Sequence, residues 1–184
     1  MTLPFEPHND PDIASVWIWF QFQEALIGES SASVLRNIGP GSSALRPHEA
    51  QFKGLTQGEV KEFFYVQRGL LELLTMFQLL ATTEAILRIE VKTRVAARKK
   101  DGLSRRFREL HKTSGDRIRL DEDILGALKE EGVPAIIIAA FRGALKLRHW
   151  LAHGRHWHPK LGCGYAPGDI FDISRALIDA IPQS

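Results

Sequence analysis

Cysteine, net charge and uninterrupted apolar runs are all scarce in this sequence, and each scarcity excludes a class of protein. The single cysteine, Cys163, cannot form a disulfide within the chain, so a disulfide-stabilised scaffold is excluded. A net charge of +2 excludes disorder driven by charge repulsion. Polar residues interrupt every apolar stretch before it reaches the roughly 18 consecutive residues of a membrane span. We therefore expect a cytoplasmic protein without a membrane segment.

The composition that remains is that of an ordinary folded domain. Hydrophobic residues make up 44% of the 184 positions and charged residues 25%, a balance that supplies both a core and a solvated surface. The N-terminal residues include acidic side chains and prolines, whereas a signal peptide needs basic residues followed by an apolar run. We predict one domain over residues 1–184, with no internal repeat.

Helix signals open the chain. Asp10 and Pro11 have the residue types of an N-cap and a first helical position, and apolar residues follow at helical spacing. These signals predict a first helix over about 11–27, which Gly28 is expected to end. Serine, glycine and proline are then so frequent that we predict an irregular segment over about 29–56.

A long helix is the strongest structural prediction. Thr56 and Glu59 have the spacing of a capping box, in which each side chain accepts the other residue's backbone N–H. Apolar residues then keep a helical period without any proline over about 57–100. The helix becomes basic toward its end, where Gly102 is expected to terminate it.

The last third of the chain also has helical patterning. An acidic start at 121–123 predicts a short helix, and a nearly all-apolar stretch over about 134–153 predicts a buried helix. A Gly/Pro-rich loop over about 154–168 precedes a last amphipathic helix that reaches Ile181. The fold class is therefore all-α, a helical bundle in which the long helix packs against the buried helix.

Positive charge is concentrated in one segment. Residues 92–119 contain eleven Lys or Arg against three acids, a net charge of +8, so the rest of the chain carries −6. Such a segment suits a surface that binds phosphates, and a solvated helix end is the alternative. With two residues of the Gly/Pro-rich loop added, the candidate RNA-binding residues are Lys92, Arg94, Arg98, Lys99, Lys100, Arg105, Arg106, Arg108, Arg155 and His156.

The end of the buried helix carries the residues with the clearest chemistry. His149 and His153 are four positions apart and so project from nearly one face, and the long side chain of Arg148 can bend toward them. Cleavage of RNA by its own 2′-hydroxyl needs a base active near neutral pH and a cation beside the phosphate, but no metal or cofactor. His153 suits the base, and the planar fork of Arg148 suits a phosphate clamp. His149 suits positioning of the substrate or protonation of the leaving oxygen.

The run Arg148-His149-Trp150-Leu151-Ala152-His153-Gly154 resembles the signature of the HEPN superfamily, in which an arginine and a polar residue precede a histidine near a helix end. His149 takes the polar position, where asparagine is more usual. The resemblance implies an all-α endoribonuclease that needs no metal, and a homodimer whose two motifs face one cleft. Many members are toxins or phage-defence ribonucleases restrained by an antitoxin partner, and other members only bind RNA or nucleotide.

Alternatives remain for the same residues. Four histidines, at 149, 153, 156 and 158, have a spacing compatible with zinc, although no carboxylate or thiolate lies beside them in sequence. A purely structural role is also open, in which Arg148 and the histidines bond the last carbonyls of their helix. A third alternative is a helical module that binds RNA or nucleotide without turnover.

Two acidic residues of the long helix and a group of aromatic residues bear on the site and on assembly. Glu84 and Glu90 can orient the motif from across the bundle, but they also have i, i+4 partners in Arg88 and Arg94, and we favour these ordinary pairs.

The aromatic residues exceed what one compact bundle needs, so some are expected at a subunit interface. They are Trp17, Trp19, Phe20, Phe22, Phe63, Phe64 and Phe77.

Overall fold

The structure is a computed structural model, and it describes residues 12–38, 47–153 and 164–182. No strand occurs among these residues, so the predicted all-α class is confirmed. The α-helices are α1 (Ile13–Asn37), α2 (Gln57–Ala97), α3 (Gly102–Ser114), α4 (Leu125–Glu130), α5 (Ala135–Ala152) and α6 (Pro167–Asp179). Short segments of other helix types cover Pro47–Phe52, Gly115–Arg117 and Leu120–Ile124.

Contacts divide the chain into two compact units. The smaller unit is Ser15–Thr75, and the larger unit joins Met1–Ala14 to Met76–Ser184. The smaller unit holds nearly all of α1 and the first part of α2, whereas the larger unit holds the rest of α2 and all later helices. The larger unit therefore carries the motif and the whole basic segment, residues 92–119.

The first helix runs beyond the glycine that was expected to end it. α1 continues through Gly28 to Asn37, so the predicted irregular segment begins as helix. Val34 is 1% exposed and packs with Phe52 and Val60, and Ser33 Oγ donates to Glu49 Oε1 at 2.9 Å. A glycine inside a helix costs about 1 kcal/mol, which burial of one aliphatic side chain offsets.

The start of α2 agrees with its sequence signal. Thr56 N donates to Glu59 Oε2 at 2.8 Å, and Glu59 N donates to Thr56 Oγ1 at 3.2 Å, so the predicted capping box is confirmed. Hydrogen bonding from Thr56 lowers the pKa of Glu59, because these bonds stabilise the charged carboxylate. Local hydrogen bonds thus fix where the long helix begins.

The predicted end of the long helix is wrong. The helix stops at Ala97, Arg98 has a left-handed φ of 51°, and Gly102 begins α3 instead of ending α2. Asp101 caps the new helix, because its Oδ1 accepts a hydrogen bond from Ser104 N at 2.9 Å. Hydrogen bonding from Ser104, with a smaller effect of Arg94, lowers the pKa of Asp101. The basic segment therefore forms the end of one helix and most of the next.

The length and composition of α2 would also allow it to cross a membrane. Its most apolar window of 18 residues has a mean hydropathy of 1.5, and 44% of that window is buried in the structure. The core helix of a soluble protein passes the same test, so length and composition alone do not make α2 a membrane span.

The helix that carries the motif is anchored along one face. Ile138, Phe141, Ala144 and Leu147 follow each other at three-residue intervals and are each at most 3% exposed. Ile136 is 79% exposed, so the burial of α5 is one-sided although its sequence is apolar nearly all round. In the larger unit, α2, α3, α4 and α6 supply the fully buried partners Leu79, Leu80, Leu87, Leu103, Phe107, Leu125, Leu128, Ile170 and Leu177. The predicted packing of the long helix against the motif-bearing helix is confirmed, but the motif-bearing helix is buried along one face only.

Candidate functional site

Arg148 lies at the edge of the buried stripe of α5, where it contacts the long helix. Leu147 beside it is 3% exposed, whereas the Arg148 side chain is 35% exposed. Its Nη2 atom lies 2.8 Å from Glu84 Oε2 on α2. This ion pair joins the two helices and fixes the direction of the guanidinium group.

Glu84 serves two arginines with its two carboxylate oxygens. Its Oε1 accepts from Arg88 Nε at 2.8 Å and lies 2.8 Å from Arg88 Nη2, while Oε2 faces Arg148. The ordinary i, i+4 pair favoured from the sequence is present, and so is the alternative in which Glu84 orients the motif. Two guanidinium groups share one carboxylate, so the cluster keeps a net charge of +1.

The sequence held a signal for this second role. Glu84 lies four positions after Leu80 and three before Leu87, both of which are at most 1% exposed. That spacing puts the three side chains on one face of α2, which packs inward. The Glu84 side chain is accordingly only 15% exposed.

The Arg148 guanidinium is oriented but not saturated. Its Nε atom is buried and has no hydrogen-bond partner among the described residues. A buried N–H without a partner is costly, but an enclosed atom is not within reach of a ligand in solvent. A phosphate would contact the exposed part of the side chain, which is 35% exposed, while Glu84 keeps its contact with Nη2.

The two histidines of the motif lie together at the exposed end of α5. The centroids of the His149 and His153 rings are 4.3 Å apart, with an angle of 55° between the ring planes. Both residues are exposed, and the backbone N–H of His153 donates to the His149 carbonyl at 3.1 Å as the helix ends. The predicted convergence of two imidazoles on one face is confirmed.

The second acidic residue of α2 has the ordinary role. Glu90 Oε1 accepts from Arg94 Nε at 2.5 Å, and Arg94 Nη1 donates to Asp101 Oδ1 at 3.0 Å. Arg94 is 3% exposed, so it is a structural residue and not part of an RNA-binding surface. The prediction of Arg94 as an RNA-binding residue is therefore wrong, because its guanidinium is enclosed by partners from its own chain.

Most other predicted RNA-binding residues lie on the surface. Among the described residues, Lys92, Arg98, Lys100 and Arg105 are exposed and make no ion pair, and Lys99 is exposed as well. Arg108 donates to a backbone carbonyl and Arg106 pairs with Glu109 and Glu130, at 3.6 and 3.1 Å. The exposed cations thus flank the turn between α2 and α3.

Several candidates follow the motif in the sequence. Arg155 and His156 lie outside the described residues, as do His158 and Cys163. Within the described ranges, no group of three or more His, Cys, Asp and Glu could hold a metal ion. The zinc alternative depends on His156 and His158, so it stays a hypothesis.

Comparison with known proteins finds no matching family model, and no curated protein or solved structure is significantly similar to the chain. The HEPN resemblance therefore depends on the motif of Arg148 to Gly154 and on its all-α setting. The groups at the end of α5 and the charges around them therefore carry the evidence on function.

Proposed function

We propose that the chain is a metal-independent endoribonuclease of HEPN type, with its site at the end of α5. The observation that carries this proposal is the combination of an arginine fixed by Glu84 with two exposed imidazoles one helical turn apart. Fixed cations stabilise charge that develops on a phosphoryl group, and imidazoles move protons near neutral pH. The end of α5 therefore carries the residue types that cleavage of the RNA backbone needs.

The proposed reaction uses the 2′-hydroxyl of the substrate as the nucleophile. His153 takes the hydroxyl proton, the 2′-oxygen forms a bond to phosphorus, and the bond from phosphorus to the 5′-oxygen breaks. His149 supplies a proton to that leaving oxygen or positions the ribose, and Arg148 binds the non-bridging oxygens. The products are a 2′,3′-cyclic phosphate and a 5′-hydroxyl.

The chemistry of the products tests this proposal. Purified protein is incubated in EDTA with an RNA oligonucleotide and with the DNA oligonucleotide of the same sequence. We expect the RNA alone to be cut, with fragments that end in a 2′,3′-cyclic phosphate, because DNA lacks the nucleophile. Cleavage of both, or cleavage only when a metal is added, would contradict the mechanism.

The second candidate is an RNA- or nucleotide-binding module without turnover. Exposed cations that make no ion pair with the described residues favour it, because phosphate contacts need no catalytic group. These cations are Lys92, Arg98, Lys100 and Arg105. This module would bind RNA with an affinity that falls steeply as salt is raised, which a titration of RNA at two salt concentrations measures. It would give no fragments in the cleavage experiment. Absence of both binding and cleavage would contradict the two candidates together.

The role proposed for Glu84 leads to a separate prediction. Glu84→Ala is expected to lower kcat for RNA cleavage about 100-fold, with a smaller change in KM, because Arg148 loses the carboxylate that orients it. Steady-state kinetics on one RNA substrate measure both constants. Arg88→Met, which leaves the Glu84–Arg148 pair in place, should retain most of the wild-type kcat.

A matched variant separates orientation from stability. Glu90→Ala also removes an i, i+4 ion pair of α2, but Glu90 contacts Arg94 and not the motif. We expect it to lower the melting temperature and to leave kcat near that of the wild type. An equal loss of kcat in the Glu84 and Glu90 variants would show that Glu84 affects cleavage only through the stability of the fold.

A homodimer is part of the proposal. The described residues of the smaller unit expose an apolar stripe on each of two helices, at helical spacing. A twofold contact between copies would remove these side chains from water. The stripes are formed by Ile18, Trp19, Phe22 and Leu26 on α1 and by Phe63, Val66, Leu70 and Leu74 on α2.

Sedimentation velocity tests the dimer. The wild type is expected to sediment as a dimer at micromolar concentration, and Phe22→Glu as a monomer, because a charge would be buried at the contact. Tyr65→Glu is the control, since Tyr65 is 73% exposed but lies on another side of α2. A monomeric wild type would contradict the assembly.

A further inference from the structure

A second candidate site lies in a cavity of the larger unit. The cavity has a volume of about 300 Å³ and lies between the last turns of α2, the end of α3 and the segment that follows α3. Its walls are aliphatic, formed mainly by Val91, Val95, Ile118 and Ile124. A concave apolar surface of this size is large enough for a small organic molecule.

The other lining residues are basic. Arg88, Lys92 and His111 line the same cavity, and none of its described lining residues is acidic. Lys92 and His111 are exposed, so their side chains can reach a molecule that enters from solvent. The cavity therefore joins an apolar interior to a rim of hydrogen-bond donors and positive charge.

The side chains that the structure describes do not cancel the charge of this rim. Arg88 Nη1 donates to the Ile118 carbonyl at 3.2 Å, and its Nε and Nη2 atoms contact Glu84, so the guanidinium is held in place. Glu84 is shared with Arg148, which leaves one positive charge on this cluster. Lys92 makes no ion pair with the described residues and adds a second, movable charge.

We propose that this cavity binds a small anion with an apolar body, such as a medium-chain or aromatic carboxylate. The apolar body leaves water between Val91, Val95 and Ile118, and the carboxylate stays at the rim beside Lys92 and Arg88. A nucleobase fits the cavity less well, because its walls offer aliphatic side chains where a base needs stacking rings and edge contacts. The cavity shares Lys92 with the candidate RNA-binding residues, and its Arg88 shares Glu84 with Arg148, but the proposal does not depend on RNA cleavage.

Three probe molecules distinguish the contribution of the charge to binding from the contribution of the apolar body. The full-length protein is titrated in NMR experiments with decanoate below its micelle concentration, with decanol and with inorganic phosphate. We expect decanoate to bind roughly tenfold more tightly than decanol and more tightly than phosphate, with shifts centred on Val91, Val95 and Ile118. No RNA is present, so the result does not depend on ribonuclease activity.

Two variants test the location of the site. Lys92→Glu reverses an exposed charge at the rim and should weaken decanoate binding about tenfold, whereas decanol binding should change little. Ala96→Phe places a ring over the cavity from an exposed position and should abolish binding of both. Lys129→Glu, the same charge change on the exposed face of α4, is the control, and circular dichroism melting confirms that each variant is folded.

Three results would overturn the proposal. The first is equal affinity for decanoate and decanol, which would remove the role of the charge. The second is binding of phosphate as tightly as decanoate, which would assign the rim to phosphate groups such as those of RNA. The third is an equal effect of Lys92→Glu and Lys129→Glu on decanoate affinity, which would show that decanoate is attracted by the charge of the whole protein and not by this cavity.

Discussion

His153→Ala is expected to lower the rate of RNA cleavage by about 10² to 10⁴-fold, the range that a positioned general base contributes. The methyl group that remains cannot take a proton from the 2′-hydroxyl. Single-turnover cleavage of a labelled RNA in EDTA measures the rate without interference from product release. The fold should be retained, because His153 is exposed at the end of α5 and contributes its backbone N–H to the helix end.

An exposed histidine outside the motif provides the control. His111 lies near the end of α3, and His111→Ala removes the same chemical group from the same unit. We expect its cleavage rate to equal that of the wild type. If His153→Ala cleaved RNA at the wild-type rate, His153 would have no part in the mechanism and another base would have to be sought.

Arg94→Met is expected to lower the free energy of unfolding by about 3 kcal/mol, the lower end of the range for breaking a buried ion pair. The Arg94 side chain is 4% exposed and contacts Glu90, Asp101 and the backbone carbonyl of Pro182. Methionine fills similar space but removes the cation that contacts two carboxylates and one backbone carbonyl; Asp101 keeps its hydrogen bond from Ser104 N. The expected loss of unfolding free energy stays near the lower end of this range, because both carboxylate side chains are 31% exposed and can be hydrated again in the variant.

Urea denaturation of the wild type and two variants measures this effect. Arg105→Met removes an exposed arginine of α3 that makes no ion pair with the described residues, so its unfolding free energy should change by less than about 0.5 kcal/mol. For Arg94→Met, the melting temperature should also fall by roughly 6–12 °C in a chain of this size. A loss below about 1 kcal/mol would contradict the view that Arg94 holds α2, α3 and the C-terminal residues together.

Arg94 also shows why the basic segment was only partly interpretable. Charge density predicts where cations gather, but it does not tell which of them the fold encloses. Arg94 and Arg98 are one helical turn apart in sequence, yet the first is buried and the second is exposed. The difference arises because Asp101 and Pro182, seven and 88 positions away, both meet the Arg94 guanidinium.

Local physics made several features of this protein readable from the sequence. The capping box of Thr56 and Glu59, the long helix after it and the pairing of His149 with His153 all depend on groups within four positions of each other. The all-α class follows from the same helical period. Such features form wherever the chain is helical, so no knowledge of the packing is needed.

Tertiary structure decided the features that depend on distant groups. Burial of Val34 carries α1 past Gly28, and the side chain of Asp101 makes Gly102 a helix start. The approach of α5 to α2 brings Arg148 to Glu84, a carboxylate 64 positions earlier in the chain. Hydrophobic packing sets these distances, and a helical period identifies the buried face of a helix without identifying the helix that will cover it.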